Sequence, residues 1–348
     1  MTGAKNRGTS LPSPEALQAW EEVLQLAEEF RAAQPWLRTS GAAVLGVRDP
    51  VSGEIDWCRI LGQERQYLGL GIYMGDAGYA TLQRAEDQGI EEFDEQIAQR
   101  AVVLVFTRSA DVLPQCKAIL KKLGRVYRGA NSWPELLWHE PGFMPIPPRD
   151  VAMLNRIANT LRGLLALLSW LQQQSSDGLC DDPTQAFVTA PPFGAAQIQQ
   201  LDLPEVPPAV VEVPAYDRLA ARRLQQSSGV ANGAWFLDWF SGYGIVDGPE
   251  AAGRPYFLGH MLLLDLASNQ LLVMDVAKIA EVPARLQAIL LRAVPGKGCP
   301  TQLIIRRQSL VPVLESLAAD LGIDLVCNAD AVQITRHMAQ NMMSFFGR

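Results

Sequence analysis

Apolar and polar residues along the chain alternate between helical spacing and strand-like runs. Ser13 before Pro14 reads as an N-cap with proline in the first turn. Leu17, Trp20, Leu24, Ala27 and Phe30 then recur at helical spacing, with Glu21, Glu22, Glu28 and Glu29 around the rest of the helix. Residues 42–47 and 55–61 are apolar runs separated by the turn residues Asp49-Pro-Val-Ser-Gly53, which predicts a hairpin. In 67–74, Leu68, Leu70, Ile72 and Met74 alternate with Tyr67, Gly69, Gly71 and Tyr73. The first set is expected to face the core, and the glycines to let a helix or the segment 124–148 approach closely. A short helix is expected over 78–88, an acidic solvated face at 91–95, a strand buried on both faces at 101–106, and a helix over 115–123. Asp150 caps the longest amphipathic pattern, 151–173, where Val151, Leu154, Ala158, Leu161, Leu165, Leu168 and Leu171 form one stripe.

Between the last two helices lies residues 124–148, a stretch crowded with Trp133, Trp138, Phe143, Met144 and five prolines. Proline excludes a continuous helix, and loops rarely expose several large apolar groups together. The expectation is an ordered, partly buried wrap, acting either as a structural strap or as a recognition surface built from Arg128, Asn131, Trp133, Trp138 and His139.

Past 173 the pattern weakens. Gln172 to Ser176 is polar, and seven prolines lie between Pro183 and Pro214, which reads as a linker over 174–215. Helical spacing returns with Arg218, Arg222 and Arg223. Strands are expected at 260–266 and 270–276 around Ala267-Ser-Asn269, then at 302–306 and 324–327, with helices over 283–294, 310–321 and 331–346. The reading is therefore a flexible tail at 1–12, an N-terminal mixed α+β domain at 13–173, and a C-terminal mixed-sheet α/β domain at 216–348.

Totals narrow the function classes. A chain of 348 residues with 48 % hydrophobic content can bury two cores without staples. A net charge of −7 argues against a dedicated nucleic-acid binder. Five cysteines, odd in number and without a Cys-x-x-Cys pair, predict reduced thiols and a cytoplasmic setting rather than a disulfide framework or zinc knuckle. No run reaches the length of a membrane span, and the N-terminus lacks an apolar h-region. The three histidines, His139, His260 and His337, have no metal-type spacing. Neither a Walker loop nor a nucleophile elbow occurs, so no cofactor and no metal are expected.

Short motifs carry a resemblance. Cys58-Arg-Ile-Leu-Gly62, Leu70-Gly-Ile-Tyr-Met-Gly75, Tyr127-Arg-Gly-Ala-Asn-Ser-Trp-Pro134 and Pro141-Gly-Phe143 resemble an uncharacterised bacterial family of unknown function over residues 40–172. Arg254-Pro-Tyr256, Leu263-Leu-Asp265, Gly298-Cys-Pro300 and Leu321-Gly-Ile323 are similar to a second such family over 232–345. Neither resemblance implies an activity. The second region also resembles, distantly, the ribonuclease-H-like core of integrases: Trp235 to Asp238, the turn at Leu264-Asp-Leu-Ala-Ser-Asn269, Pro300 to Ile305, and Leu321-Gly-Ile323. That resemblance implies a first catalytic carboxylate at Asp238. Arg306 and Arg307 stand where the second is expected, and no Glu follows Glu315 to supply the third. The resulting expectation is a non-catalytic interaction or regulatory protein whose partner is a protein. The alternatives are an enzyme whose site lies in an interdomain cleft that no motif shows, and a catalytically inactive relative of such ribonuclease-H-like nucleases.

Overall fold

The structure, a computed structural model, describes residues 11–63, 67–86, 97–174, 182, 184–206, 212–246 and 254–338. Contacts divide the chain into two compact units. The first runs to Pro207, and the second holds Glu91–Ile97, Gly142–Met144 and Pro208–Arg348.

In the first unit the described strands form one mixed sheet ordered β5-β4-β3-β2-β1-β6-β7. They are β1 (Val44–Arg48), β2 (Ile55–Leu61), β3 (Leu68–Met74), β4 (Ala101–Thr107), β5 (Trp133–His139), β6 (Gln185–Thr189) and β7 (Gln199–Asp202). Side chains alternate across a strand, so each strand feeds two cores. Leu45, Val47, Cys58, Ile60, Leu70, Ile72 and Leu104 pack with helix α1 (Pro14–Ala33) and the long helix Val151–Gln173. Val44, Trp57, Tyr73 and Ala186 pack on the other face with Tyr79 and Leu82 of α2 (Gly75–Glu86). The close approach at Gly69 and Gly71 is made within the sheet and not by a helix or the segment 124–148: a Cβ on Gly69 would run into the Leu104 carbonyl of β4, and one on Gly71 would meet the ring of Tyr73 on the same strand at 2.9 Å. Helix α3 (Pro114–Lys122) ends before Gly124, which takes φ +67°, the conformation glycine adopts at least cost. The long helix, α4, is long and apolar enough to cross a membrane, but half of its apolar window is buried. Leu154, Ile157, Leu161 and Leu164 are fully enclosed, so its stripe belongs to the core of this unit.

Two expectations change here. The wrap at 124–148 contains β5, which pairs with all seven residues of β4 and forms one edge of the sheet. Pro134 hides this strand in the sequence and is tolerated because an edge strand need not donate on both sides. The stretch 174–215 holds β6, parallel to β1, and β7, antiparallel to β6. The first unit therefore extends to Pro207, beyond the expected boundary at 173. Five-residue and four-residue strands among prolines give too little periodicity to separate from an extended linker. The acidic segment at 91–95 and residues 339–346 of the helix expected over 331–346 lie outside the described residues.

The second unit carries a sheet ordered β10-β9-β8-β11-β12, from β8 (Val230–Val246), β9 (Tyr256–Asp265), β10 (Gln270–Lys278), β11 (Cys299–Ile305) and β12 (Asp324–Cys327). Helices α5 (Arg218–Ser227), α6 (Val282–Lys297) and α7 (Val311–Asp320) contribute to a core on one face, with Trp235, Leu237, Leu263 and Leu303. On the other face Phe236, Leu262 and Leu264 meet Ile334 and Met338 from the helical residues 332–338. Gly142–Met144 adds a short extended piece. The Gly142 carbonyl accepts from Phe257 N at 2.9 Å, and Met144 N donates to Pro255 O at 2.9 Å.

Candidate functional site

Strand β8 lies inside its sheet, antiparallel to β9 and parallel to β11. Asp238 faces the same side as Phe236, opposite Leu262, and is completely buried. A lone carboxylate there would be costly, so its partners decide what it can do. Arg306, one residue past β11, donates from Nε to Oδ2 at 2.8 Å. Arg307 donates from Nε to Oδ1 at 3.4 Å and from a terminal nitrogen to Trp239 O at 3.1 Å, and its guanidinium lies 4.4 Å from the Trp239 ring centre. The Thr335 hydroxyl also donates to Oδ2. Both carboxylate oxygens are thus occupied by cations or a hydroxyl. A divalent ion seeking Asp238 would meet two positive charges in its place. Among the described residues, no group of three or more His, Cys, Asp or Glu side chains is placed to hold a metal.

The first unit contains the same solution. Asp56 of β2 is fully buried and is gripped by Arg156 of α4, with Nε at 3.0 and 3.1 Å from the two oxygens and a terminal nitrogen at 2.5 Å. Thr160, one turn further on, donates its hydroxyl at 2.8 Å. Burial holds the Asp56 carboxyl above its ordinary 3.8, and Arg156 and Thr160 offset this only in part. A third cluster holds Asp320 at the end of α7, where Arg218 donates at 2.7 Å, Arg222 at 2.8 Å and the Tyr216 hydroxyl at 2.9 Å. The bonds from Arg218 and Arg222 hold the Asp320 carboxyl well below its ordinary 3.8. A depressed carboxylate contributes stability that is present above its unfolded pKa and is lost as pH falls through the folded value. The wild-type chain is therefore expected to lose stability as acid takes it below pH 3.8, and Asp320→Asn to show a flatter profile there in melts at stepped pH. Equal slopes for the two proteins would contradict this.

The residues of the wrap fall into two groups. Trp133 and Trp138 are half-buried and pack against the core of the first unit, with Trp133 edge-on to Tyr127 at 5.8 Å. His139 ends β5, half-buried, opposite Ala101. Arg128 is exposed, and Asn131 takes φ 52° in the turn before β5. Asp238 belongs to the second unit. Side chains tie the wrap to α1, among them Arg125 and Arg31, which the sequence did not single out. Arg125 pairs with Glu21 and, at 3.2 Å, with Glu28; the Tyr127 hydroxyl donates to Glu28 at 2.7 Å. Arg31 donates to Asn131 O at 3.1 Å, and the Trp20 indole to Pro148 O at 2.9 Å. The signal for the Asp56 cluster was present too: Arg156 and Thr160 sit four apart on α4, a spacing that puts both on one face.

Two family models match in tandem. Residues 20–186 match Domain of unknown function (DUF7309), and residues 220–342 match Domain of unknown function (DUF6930). No curated protein matches the chain. Among solved structures, the chain is similar to one chain of a simian T-cell lymphotropic virus intasome in complex with PP2A regulatory subunit B56 gamma. The identity is 13 % and the TM-score 0.26, over 34 % of this chain and 41 % of that one. It is also similar to the HTLV-2 integrase catalytic core domain in complex with magnesium, at 14 % identity and TM-score 0.24, over 34 % of this chain and 72 % of that one. The chain thus spans less than half of the first of these.

Proposed function

We propose that these two tandem domains of unknown function form a non-catalytic bacterial protein that works by binding a protein partner in the cytoplasm. The observation that carries this reading is the occupied state of Asp238. Two-metal phosphodiester chemistry needs carboxylates from separate elements around cations about 3.5–4 Å apart. In this chain Arg306 and Arg307 approach the carboxylate instead. The net charge of −7 supports a protein partner over a nucleic acid. The free thiols of Cys58, Cys116, Cys299 and Cys327 support a reducing compartment. Within the first unit the exposed turn with Arg128 is the part of the wrap open to a partner, while its tryptophans serve the core.

The test is incubation of the pure protein with single- and double-stranded DNA and RNA in Mg²⁺ or Mn²⁺. No cleavage is expected from wild type or from Asp238→Asn. Cleavage by wild type that disappears in Asp238→Asn would overturn the reading.

A further inference from the structure

Two short motifs of the sequence meet in the second unit: Gly142 and Phe143 of Pro141-Gly-Phe143, and Arg254-Pro-Tyr256. Strand β10 leaves β9 at Lys278, opposite Leu258. The next place along that edge of β9 is taken by Gly142–Met144, with Phe143 opposite Tyr256. The segment docks as a strand would. Phe257 N donates to Gly142 O and Met144 N to Pro255 O, both at 2.9 Å. Without it, these two groups of β9 would stand on an open edge.

Side chains make the seat selective. Arg254 is 8 % exposed, its Nε donates to Met144 O at 3.2 Å, and its guanidinium lies 5.3 Å from the centre of the Phe143 ring. A desolvated cation gains more from an aromatic face than an exposed one does. Arg254 therefore reads a ring at one position and a carbonyl at the next. Gly142 takes φ +81°, which side chains seldom adopt, while an added Cβ would only touch Ile279 at 3.8 Å. The backbone, and not lack of room, demands glycine there. Its N–H donates to Ile97 O at 2.8 Å.

Backbone pairing that supplies affinity, with side-chain contacts that supply choice, is how a sheet edge binds an extended peptide. We propose that this edge of β9 is a peptide-recognition site, that Gly142–Met144 is its resident ligand, and that a partner protein enters by displacing it with an extended Gly-Phe segment of its own. A segment tethered in the same chain has an effective concentration on the order of millimolar, so it keeps weak competitors out and yields to a tighter one. The inference rests on the protein-binding reading for the existence of a partner, and it adds the partner's chemistry. The two fail separately: nucleic-acid cleavage through Asp238 would leave peptide binding as it is, and a chain that binds no peptide would still have its carboxylate occupied.

The experiment is hydrogen exchange on the full chain, with a synthetic peptide of residues 140–146 at millimolar concentration as the probe. In wild type the Met144 and Phe257 amides are expected to be protected. In Phe143→Ala the Phe257 amide should exchange at least about ten-fold faster, and the peptide should restore its protection. The same peptide carrying Phe143→Ala should not restore it, nor should the native peptide in a chain that also carries Arg254→Met. Gly142→Pro keeps the ring but forbids φ +81°, and should behave as Phe143→Ala does. Unprotected Met144 and Phe257 amides in wild type overturn the proposal, as does protection unchanged in both variants. So does a Phe257 amide that the peptide protects in neither variant, or one that both peptides protect equally.

Discussion

Arg306→Met is expected to cost the second unit about 3–5 kcal/mol, because removing one partner of a buried ion pair leaves the other charge unmatched. Asp238 is completely buried, so water cannot replace the lost guanidinium. Arg307 and the Thr335 hydroxyl still reach the carboxylate, which places the loss toward the lower end of that range. The pair itself is no great source of net stability, since both charges were desolvated to form it; the cost arises from breaking it on one side. Urea denaturation followed by the fluorescence of Trp235 and Trp239 in β8 would read this unit. A loss under about 0.5 kcal/mol, the level of an ordinary surface change, would show the carboxylate to be solvated and open to other ligands.

Trp133→Ala should cost about 3 kcal/mol, the low end for a large aromatic removed from a core, because the ring is only half-buried. Its neighbours make the site unforgiving. Tyr127, which packs edge-on against the indole, is itself anchored to Glu28, and that carboxylate also holds Arg125. Loss of the indole therefore loosens a segment that ties β5 to α1 as well as leaving a void. Arg128→Ala, in the exposed turn five residues earlier, should change stability by less than about 0.5 kcal/mol. A Trp133→Ala protein as stable as Arg128→Ala would make the wrap a recognition surface and remove its role as a strap.

Local pattern carried the sequence reading wherever one element held its own signal. Ser13 accepts from Ala16 N and Asp150 from Met153 N, so both caps announced their helices. The hairpin around Asp49 closes as the turn residues implied, with Asp49 N donating to Glu54 O. Reading failed where order comes from distant partners. β5 looks irregular alone, and only β4 beside it makes Trp133 through His139 a strand. β6 is five residues whose stability comes from β1, some 140 positions earlier in the chain. The Asp56–Arg156 pair spans 100 residues, so no window shows it, although a charged residue inside each apolar pattern hinted that a partner existed. For Asp238 the resemblance named the position and the following arginines, and the structure adds Thr335, which lies 97 residues away.

A double-mutant cycle on Asp238 and Arg306 tests most directly whether that carboxylate is committed to the fold. Asp238→Leu, Arg306→Met and the double variant would each be unfolded in urea beside wild type. If the two side chains exist for each other, the double variant should be distinctly more stable than the two single losses predict, with a coupling of about 2–3 kcal/mol. Losses that add within about 0.5 kcal/mol would contradict the account, since the carboxylate would then be independent of the arginine and available for chemistry.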